Sequence, residues 1–214
     1  MTDSAPPVPL EGLRERRRRE TLRELSDAAI ELFEQHGVHR TTVDDIARRA
    51  GTSPRTFFRY FPTKEAAVFG DAEDAAAVER DVAEAIASGV PLVQAIEQSW
   101  LVLIDHFDSH ADEHPRALRV RRLVGSEPTL LALALRNEAE QADRLTAAAI
   151  AAAGEDADAL GSRAGIASIA LIIRLSFEEW ARRAEDGGHA RVRAIYAEIR
   201  RSVAALAGQL NDVD

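Results

Sequence analysis

The chain has 214 residues, 46% hydrophobic and 29% charged, a composition that fits a soluble globular protein. With no cysteine, it excludes disulfide frameworks, thiolate nucleophiles and cysteine-based zinc sites. The net charge of −9 is unevenly held: residues 1–70 carry 12 Lys and Arg against 11 Asp and Glu, and the other 144 carry 15 against 25. An acidic body repels nucleic acid and leaves the N-terminal end as the surface where DNA is expected to dock.

Residues 1–13, rich in proline and acid, read as a disordered tail with no apolar core of a signal peptide. RERRRRETLRELSDAAIELFEQHG follows, with Leu22, Leu25, Ala29, Leu32 and Phe33 on one helical face and Gly37 as the stop. TTVDDIARRAG reads as a short helix capped by Thr42, with Asp45 three residues on, and Gly51 supplies a turn. Ser53 is the next N-cap and Pro54 its first helical residue; Pro62 stops that brief helix. Thr63 then caps a long helix expected from Lys64 to about Ser88, broken by Gly89 and Pro91.

Further helices are expected near 91–110, 116–123, 129–153, 156–185 and 189–210, with breaks at Pro115, Gly125 to Pro128, Gly154 and Gly187-Gly188. No segment alternates with period two. The fold expected is all-α, about nine helices, with a helix-turn-helix domain over 14–62 and a helical body over 63–214. The longest apolar run, Gly165 to Ile173, is too short to span a bilayer, so a cytoplasmic protein with no membrane partner is expected.

Residues 51–68, GTSPRTFFRYFPTKEAAV, hold four of the chain's nine Phe and Tyr residues, together with two arginines. Helix, glycine turn and short basic helix form a helix-turn-helix pattern, whose second helix must enter a major groove. Arg55 and Arg59, four apart, share one face, where guanidinium forks suit guanine edges or phosphate. Phe57 and Phe61, also four apart, would anchor the opposite side against Ile46 and Phe33. The bland alternative is a helical hairpin with a solvated basic edge. It leaves Arg16, Arg17, Arg18 and Arg19 unexplained, because four cations near a helix N-terminus oppose the macrodipole unless an anion such as a DNA phosphate meets them.

AAIELFEQHGVHRTTVDDIARRAGTSPRTFFRYFPTKEAAV resembles the DNA-binding domain of the tetracycline-repressor (TetR) family. The resemblance implies an all-α homodimer, three N-terminal helices for DNA, and a C-terminal domain for dimerisation and a small-molecule ligand. It implies DNA contacts at Thr42, Arg55, Thr56, Arg59, Tyr60 and Lys64. Of these Thr42, Thr56, Tyr60 and Lys64 suit phosphate, whereas Arg55 and Arg59 suit bases. Ser53 and Phe58 complete the candidate surface; many relatives have tyrosine where this chain has Phe58, so one hydroxyl is missing.

In the C-terminal body, Gly161, Gly165, Ile169, Ile172, Ser176 and Trp180 form a stripe, and the run around them is apolar nearly all round. A core helix within one subunit and a homodimer interface both explain that pattern. The dimer is the expectation, because a two-fold protein matches a palindromic operator on double-stranded DNA. Trp100, Asn137, Arg174 and Glu178, large or polar residues within apolar helices, are candidate ligand contacts. HPRALRVRRLV, which includes Arg121 and Arg122, resembles the C-terminal domain of mycofactocin-regulator-like members, some responsive to acyl-coenzyme A. A hydrophobic or acyl-CoA-like effector is thus one reading of this basic cluster, and a solvated face paired with nearby acids is the other.

His106, His110 and His114 recur every four residues, a spacing that can chelate a metal, although a solvated helix end explains them as well. The proline after His114 is expected to keep that residue outside a helix. No phosphate loop, nucleophile elbow or paired acid points to an enzyme, and no cofactor is expected.

Overall fold

The computed structural model describes residues 12–70, 72–153 and 158–211. Most of the tail expected over 1–13, and the break expected at Gly154, lie outside the described residues. Among the described residues there are nine α-helices, two short 3₁₀ segments and no strand, in line with the all-α expectation. The chain divides into two compact units, Met1–Asp71 and Ala72–Asp214.

The first unit holds α1 (Leu13–His36), α2 (Val43–Arg49), α3 (Pro54–Tyr60) and a 3₁₀ segment, Ala66–Phe69. The helical face of α1 buries Leu22, Leu25, Ala29, Ile30 and Phe33. Against it lie α2 and the 3₁₀ segment, while α3 packs on α2. Val38, Ile46, Ala47, Phe57, Phe61, Ala67 and Val68 are also buried in this unit. Each fully buried large side chain of this kind contributes about 1.5–3 kcal/mol, which is why a seven-residue helix such as α3 persists. Ser26 is buried as well, and its hydroxyl donates to the Ala67 carbonyl at 2.6 Å.

Residues 64–88 do not form the single helix expected. Thr63 Oγ1 accepts from the Ala66 N–H at 3.2 Å, but the segment it opens is the short 3₁₀ turn. That turn ends at Gly70, whose φ of 81° no α-helix can continue through. A new helix, α4, spans Ala72–Ala87. The boundary between units therefore falls after Asp71 rather than after Pro62, and the 3₁₀ segment belongs to the first unit.

The second unit comprises α4, α5 (Leu92–Ser109), α6 (His114–Ser126), α7 (Pro128–Ala153), α8 (Ala159–Glu185) and α9 (Val192–Asn211). Helix α8 packs on α5, α6, α7 and α9 and is the centre of this unit. Its core joins Val82, Ile96, Ile104, Ile166, Ile173, Leu145, Val192 and Ile195. Pro115 starts α6 instead of breaking the chain, and His114 is the first residue of that helix rather than lying outside it. The Asp108 carboxylate of α5 accepts from the N–H groups of Val192 and Arg193, at 2.8 and 3.0 Å, and so caps α9 from a neighbouring helix. The Tyr196 hydroxyl of α9 donates to Glu97 at 2.9 Å, and Arg200 pairs with the same carboxylate at 2.7 Å.

Of the six-residue stripe expected at a dimer interface, four residues face the core of their own unit, whereas Gly161 is exposed and Gly165 half-buried. Ile169, Ile172, Ser176 and Trp180 are buried within the single chain, and the Ser176 hydroxyl donates to the Ile172 carbonyl at 2.6 Å. Gly165 lets α5 approach, since a Cβ there would come 2.7 Å from the Val93 side chain. Gly161 donates its N–H to the capping carboxylate of Asp158 at 2.8 Å. The large apolar side chains that α8 leaves exposed are Leu160, Leu171 and Leu175. By length and composition alone α8 is long and apolar enough to cross a membrane, which the longest uninterrupted apolar run did not reveal; its buried stripe is packed into the unit's core.

Candidate nucleic-acid interface

Helix α2 begins with a reciprocal cap. Thr42 Oγ1 accepts from the Asp45 N–H at 3.2 Å, and the Asp45 carboxylate accepts from the Thr42 N–H at 3.1 Å and from its hydroxyl at 2.5 Å. These bonds from Thr42, with a further one from Arg48, hold the Asp45 carboxyl below its ordinary value. Thr42 is thus engaged in starting α2 before any DNA is present. The turn that follows uses Gly51 at φ 66°, and the Thr52 N–H closes it onto the Ala47 carbonyl at 2.8 Å.

Ser53 caps α3 by accepting from the Thr56 N–H at 3.1 Å, its hydroxyl lying 3.0 Å from that of Thr56. Pro54 sits at the start, where its missing N–H leaves nothing unsatisfied. Phe57 and Phe61 are buried, with ring centroids 5.6 Å apart, so one side of α3 is fixed to the unit's core. The opposite side presents Arg55, Phe58 and Arg59, all exposed. Their spacing of three and four residues places them on one face. The aromatic residues therefore divide by role: Phe57 and Phe61 anchor, while Phe58 is 58% exposed.

Arg59 does not project freely. Its guanidinium lies 4.7 Å from the centre of the Tyr60 ring and donates to the Tyr60 hydroxyl at 2.7 Å. Lys64 is held more firmly still: its ammonium donates to the carbonyls of Val38 and Thr41, at 2.7 and 2.8 Å, tying the segment after α3 to the turn between α1 and α2. Nothing in the periodicity of the sequence signals that bond, which joins residues 26 positions apart. At the start of α1, Arg16, Arg17 and Arg19 are exposed, and both Arg18 and Arg19 pair with Glu15, at 3.0 and 3.4 Å. The four are a helix-borne cationic group only partly offset by an acid in their own turn.

The residues expected to line a ligand site are scattered over the second unit. Trp100 is half-buried against the core, Asn137 is exposed on α7, and Arg122 pairs with Glu185 at 2.6 Å on the surface. Arg121 and Arg174 do meet. The Arg121 guanidinium lies 3.5 Å from the Arg174 carbonyl and 5.8 Å from the centre of the Phe177 ring. Burial lowers the pKa of Arg121, the Glu178 charge opposes that and the Arg174 charge adds to it. The Arg174 Nε is buried without a hydrogen bond, 3.8 Å from the Glu138 carboxylate.

The three histidines do not converge. The His106 and His110 rings lie 4.0 Å apart, tilted by 31°, and the ring of His110 hydrogen-bonds to the His106 carbonyl at 2.8 Å. His114 instead stacks on Phe107 at 4.5 Å, meets Trp180 edge-on at 5.2 Å and hydrogen-bonds to the Phe107 carbonyl at 3.0 Å. Among the described residues no group of three His, Cys, Asp or Glu side chains is placed to hold a metal ion. The aromatic role of His114 was invisible to spacing, because its partners Phe107 and Trp180 lie on two other helices.

Residues 25–68 match the family of bacterial regulatory proteins named for TetR. An HTH-type transcriptional regulator of Streptomyces glaucescens, TcmR, is 32% identical over 86% of this chain and 82% of its own. A candidate mycofactocin biosynthesis transcriptional regulator of Mycobacterium tuberculosis, MftR, is 37% identical over 53% of this chain; the match spans only 57% of that relative. Among solved structures, Thermus thermophilus FadR, a TetR-family repressor in complex with lauroyl-CoA, has 22% identity and a TM-score of 0.47 over 84% of this chain and 91% of its own. The matched segment holds α2, the glycine turn and the capped, Phe-anchored α3 with its arginine face. The chain belongs to the TetR family of bacterial transcriptional regulators and is a regulator rather than an enzyme.

Proposed function

We propose that this regulator is a repressor that binds an inverted-repeat operator as a homodimer and is released by a small-molecule effector. The observation that carries the DNA reading is the outward face of α3: Arg55, Phe58 and Arg59 exposed on a short helix whose other side is locked by Phe57 and Phe61. Arg55, in the N-terminal half of α3, is the principal base-reading group, with Arg59 as the second. Ser53, Thr56 and Tyr60 meet the phosphate backbone, and Arg16 to Arg19 add charge to it. Thr42 and Lys64 act by holding the fold of this surface in place. A regulator of this kind works where the chromosome is, and the cytoplasm is its compartment.

The dimer reading is supported by the apolar face of α8 that carries Leu160, Leu171 and Leu175, which a second copy would cover. The effector reading is supported by Arg121 and Arg174. The half-buried Arg121 guanidinium beside the Phe177 ring, with the Arg174 charge near enough to act on it, suits an anionic head group on an apolar body, of which an acyl-coenzyme A is one example. Effector binding would favour a subunit arrangement whose two recognition helices no longer match successive major grooves, about 34–36 Å apart.

A mobility shift on DNA from upstream of the gene, at two salt concentrations, tests the reading. A specific complex that weakens with salt and dissociates on adding an acyl-coenzyme A is the expected result. Specific binding that no candidate ligand affects would remove the effector part and leave the DNA part. Absence of any specific complex would overturn both.

A further inference from the structure

The geometry points to Phe58 as a reader of the thymine 5-methyl group, so that this protein's operator carries a thymine beside the base pair met by Arg55. This rests on the DNA reading of α3. Three observations lead to it. Phe58 is 58% exposed, whereas Phe57 and Phe61, on the same helix, are 0% and 3% exposed. It is the only aromatic residue among the exposed large hydrophobic side chains of the described residues. It stands on the same outward face as Arg55 and Arg59, one turn from Arg55.

The ring meets Phe57 edge-on, with centroids 5.7 Å apart and planes at 88°, so it is braced from behind by a buried residue. Its neighbour Arg59 is drawn onto Tyr60 and leaves it uncovered on that side. A phenyl group offers no hydrogen bond to a phosphate or to a base heteroatom. In a major groove one apolar group is displayed on a base edge, the thymine methyl, and apolar side chains recognise it by excluding water. A ring braced by Phe57 on a recognition helix, one turn from the exposed Arg55, therefore adds a thymine to whatever Arg55 specifies.

The test compares duplexes identical except for that methyl. A sequence enriched by the wild-type protein from a random duplex library is synthesised with thymine or with uracil at the single position beside the base pair met by Arg55, and affinities are measured for wild type and Phe58→Ala. Burying one methyl multiplies an equilibrium constant about fourfold, so wild type should bind the uracil duplex about fourfold more weakly per half-site. Phe58→Ala should bind thymine DNA more weakly and lose most of the discrimination between the two copies. Phe58→Tyr, which keeps the ring, should retain it. Equal affinity of wild type for both copies, or an unchanged ratio in Phe58→Ala, overturns the assignment and leaves DNA binding standing. Failure of wild type to enrich or bind any duplex overturns the DNA reading beneath it. Because the side chain is exposed, the thermal unfolding of Phe58→Ala should match wild type, which separates loss of contact from loss of fold.

Discussion

The ammonium of Lys64 donates to the carbonyl oxygen of Val38 at 2.7 Å, across 26 residues of chain. With the companion bond to Thr41 at 2.8 Å, this lysine ties the segment after α3 to the turn that precedes α2. Hydrogen bonds to a charged donor contribute about 1.5–3 kcal/mol each in partly buried settings, less where water competes. Lys64→Met should therefore destabilise the protein by about 2 kcal/mol in denaturant unfolding. A variant with wild-type stability but weakened DNA binding would return Lys64 to the phosphate-contacting set.

Arg55 and Arg59 differ in how they are held, and their variants should differ too. Loss of a base-reading arginine costs about 1–3 kcal/mol of binding and relaxes specificity at one position. Arg55→Ala should show that full signature in a binding-site selection. Arg59→Ala should weaken operator binding while leaving the oligomeric state unchanged. Tyr60→Phe keeps the ring under the guanidinium but removes its acceptor. It should cost less affinity than Arg59→Ala, and an equal cost would mean that the Tyr60 hydroxyl itself meets DNA.

The cap at Thr42 predicts a stability effect that a pure DNA contact would not have. Thr42→Ala should destabilise by about 1 kcal/mol, and Thr42→Ser should recover most of it. Asp45, the other half of the cap, has a carboxyl held below its ordinary value, so its contribution is present at neutral pH and is lost as pH falls through the folded value. Unfolding curves at neutral and mildly acid pH should show the benefit of Asp45 over Asp45→Asn shrinking on acidification.

Tyr196 supplies the alkaline counterpart. Burial raises its pKa well above the ordinary value, and its hydrogen bond to Glu97 adds to that. The native state keeps the phenol proton where an unfolded tyrosine, with a pKa of about 10, releases it. Its contribution is thus complete below about pH 10 and declines as pH rises beyond that. Tyr196→Phe should be less stable than wild type at pH 8 and should show a shallower loss above pH 10. Parallel pH profiles for the two proteins would sink the idea.

The elements that sequence made legible are those governed by local rules. Thr42 with Asp45, Gly51, and Ser53 with Pro54 specify caps and a turn within a few residues of themselves, and each stands where its chemistry requires. The division of α3 into a buried pair and an exposed arginine face likewise follows from a spacing of four. What escaped were choices made by tertiary packing. The stripe Ile169, Ile172, Ser176 and Trp180 is apolar whether a second subunit or the same chain covers it, so periodicity could not assign it. Lys64 with Val38, Asp108 with α9 and His114 with Trp180 each join distant residues, and no local pattern announces them. The candidate ligand residues were legible only as oddities within apolar helices, and of these Arg174 and Glu178 came to lie near another candidate, Arg121.

Gly70 alters what kind of mechanical element the chain has after its DNA-binding helices. A continuous helix from Lys64 to Ser88 would behave as an axle, passing rotation along an unbroken ladder of hydrogen bonds. With φ at 81° the ladder stops, and the absence of a Cβ lets the backbone torsions at that residue absorb an imposed twist cheaply. Residue 70 is therefore where the hydrogen-bond ladder ends, at a backbone conformation that side chains rarely adopt although a Cβ there would meet no atom within 4 Å. Gly70→Ala strains the folded backbone at that one residue without touching the arginine face of α3, so its cost falls on the ending of the 3₁₀ turn and not on the DNA-facing side chains.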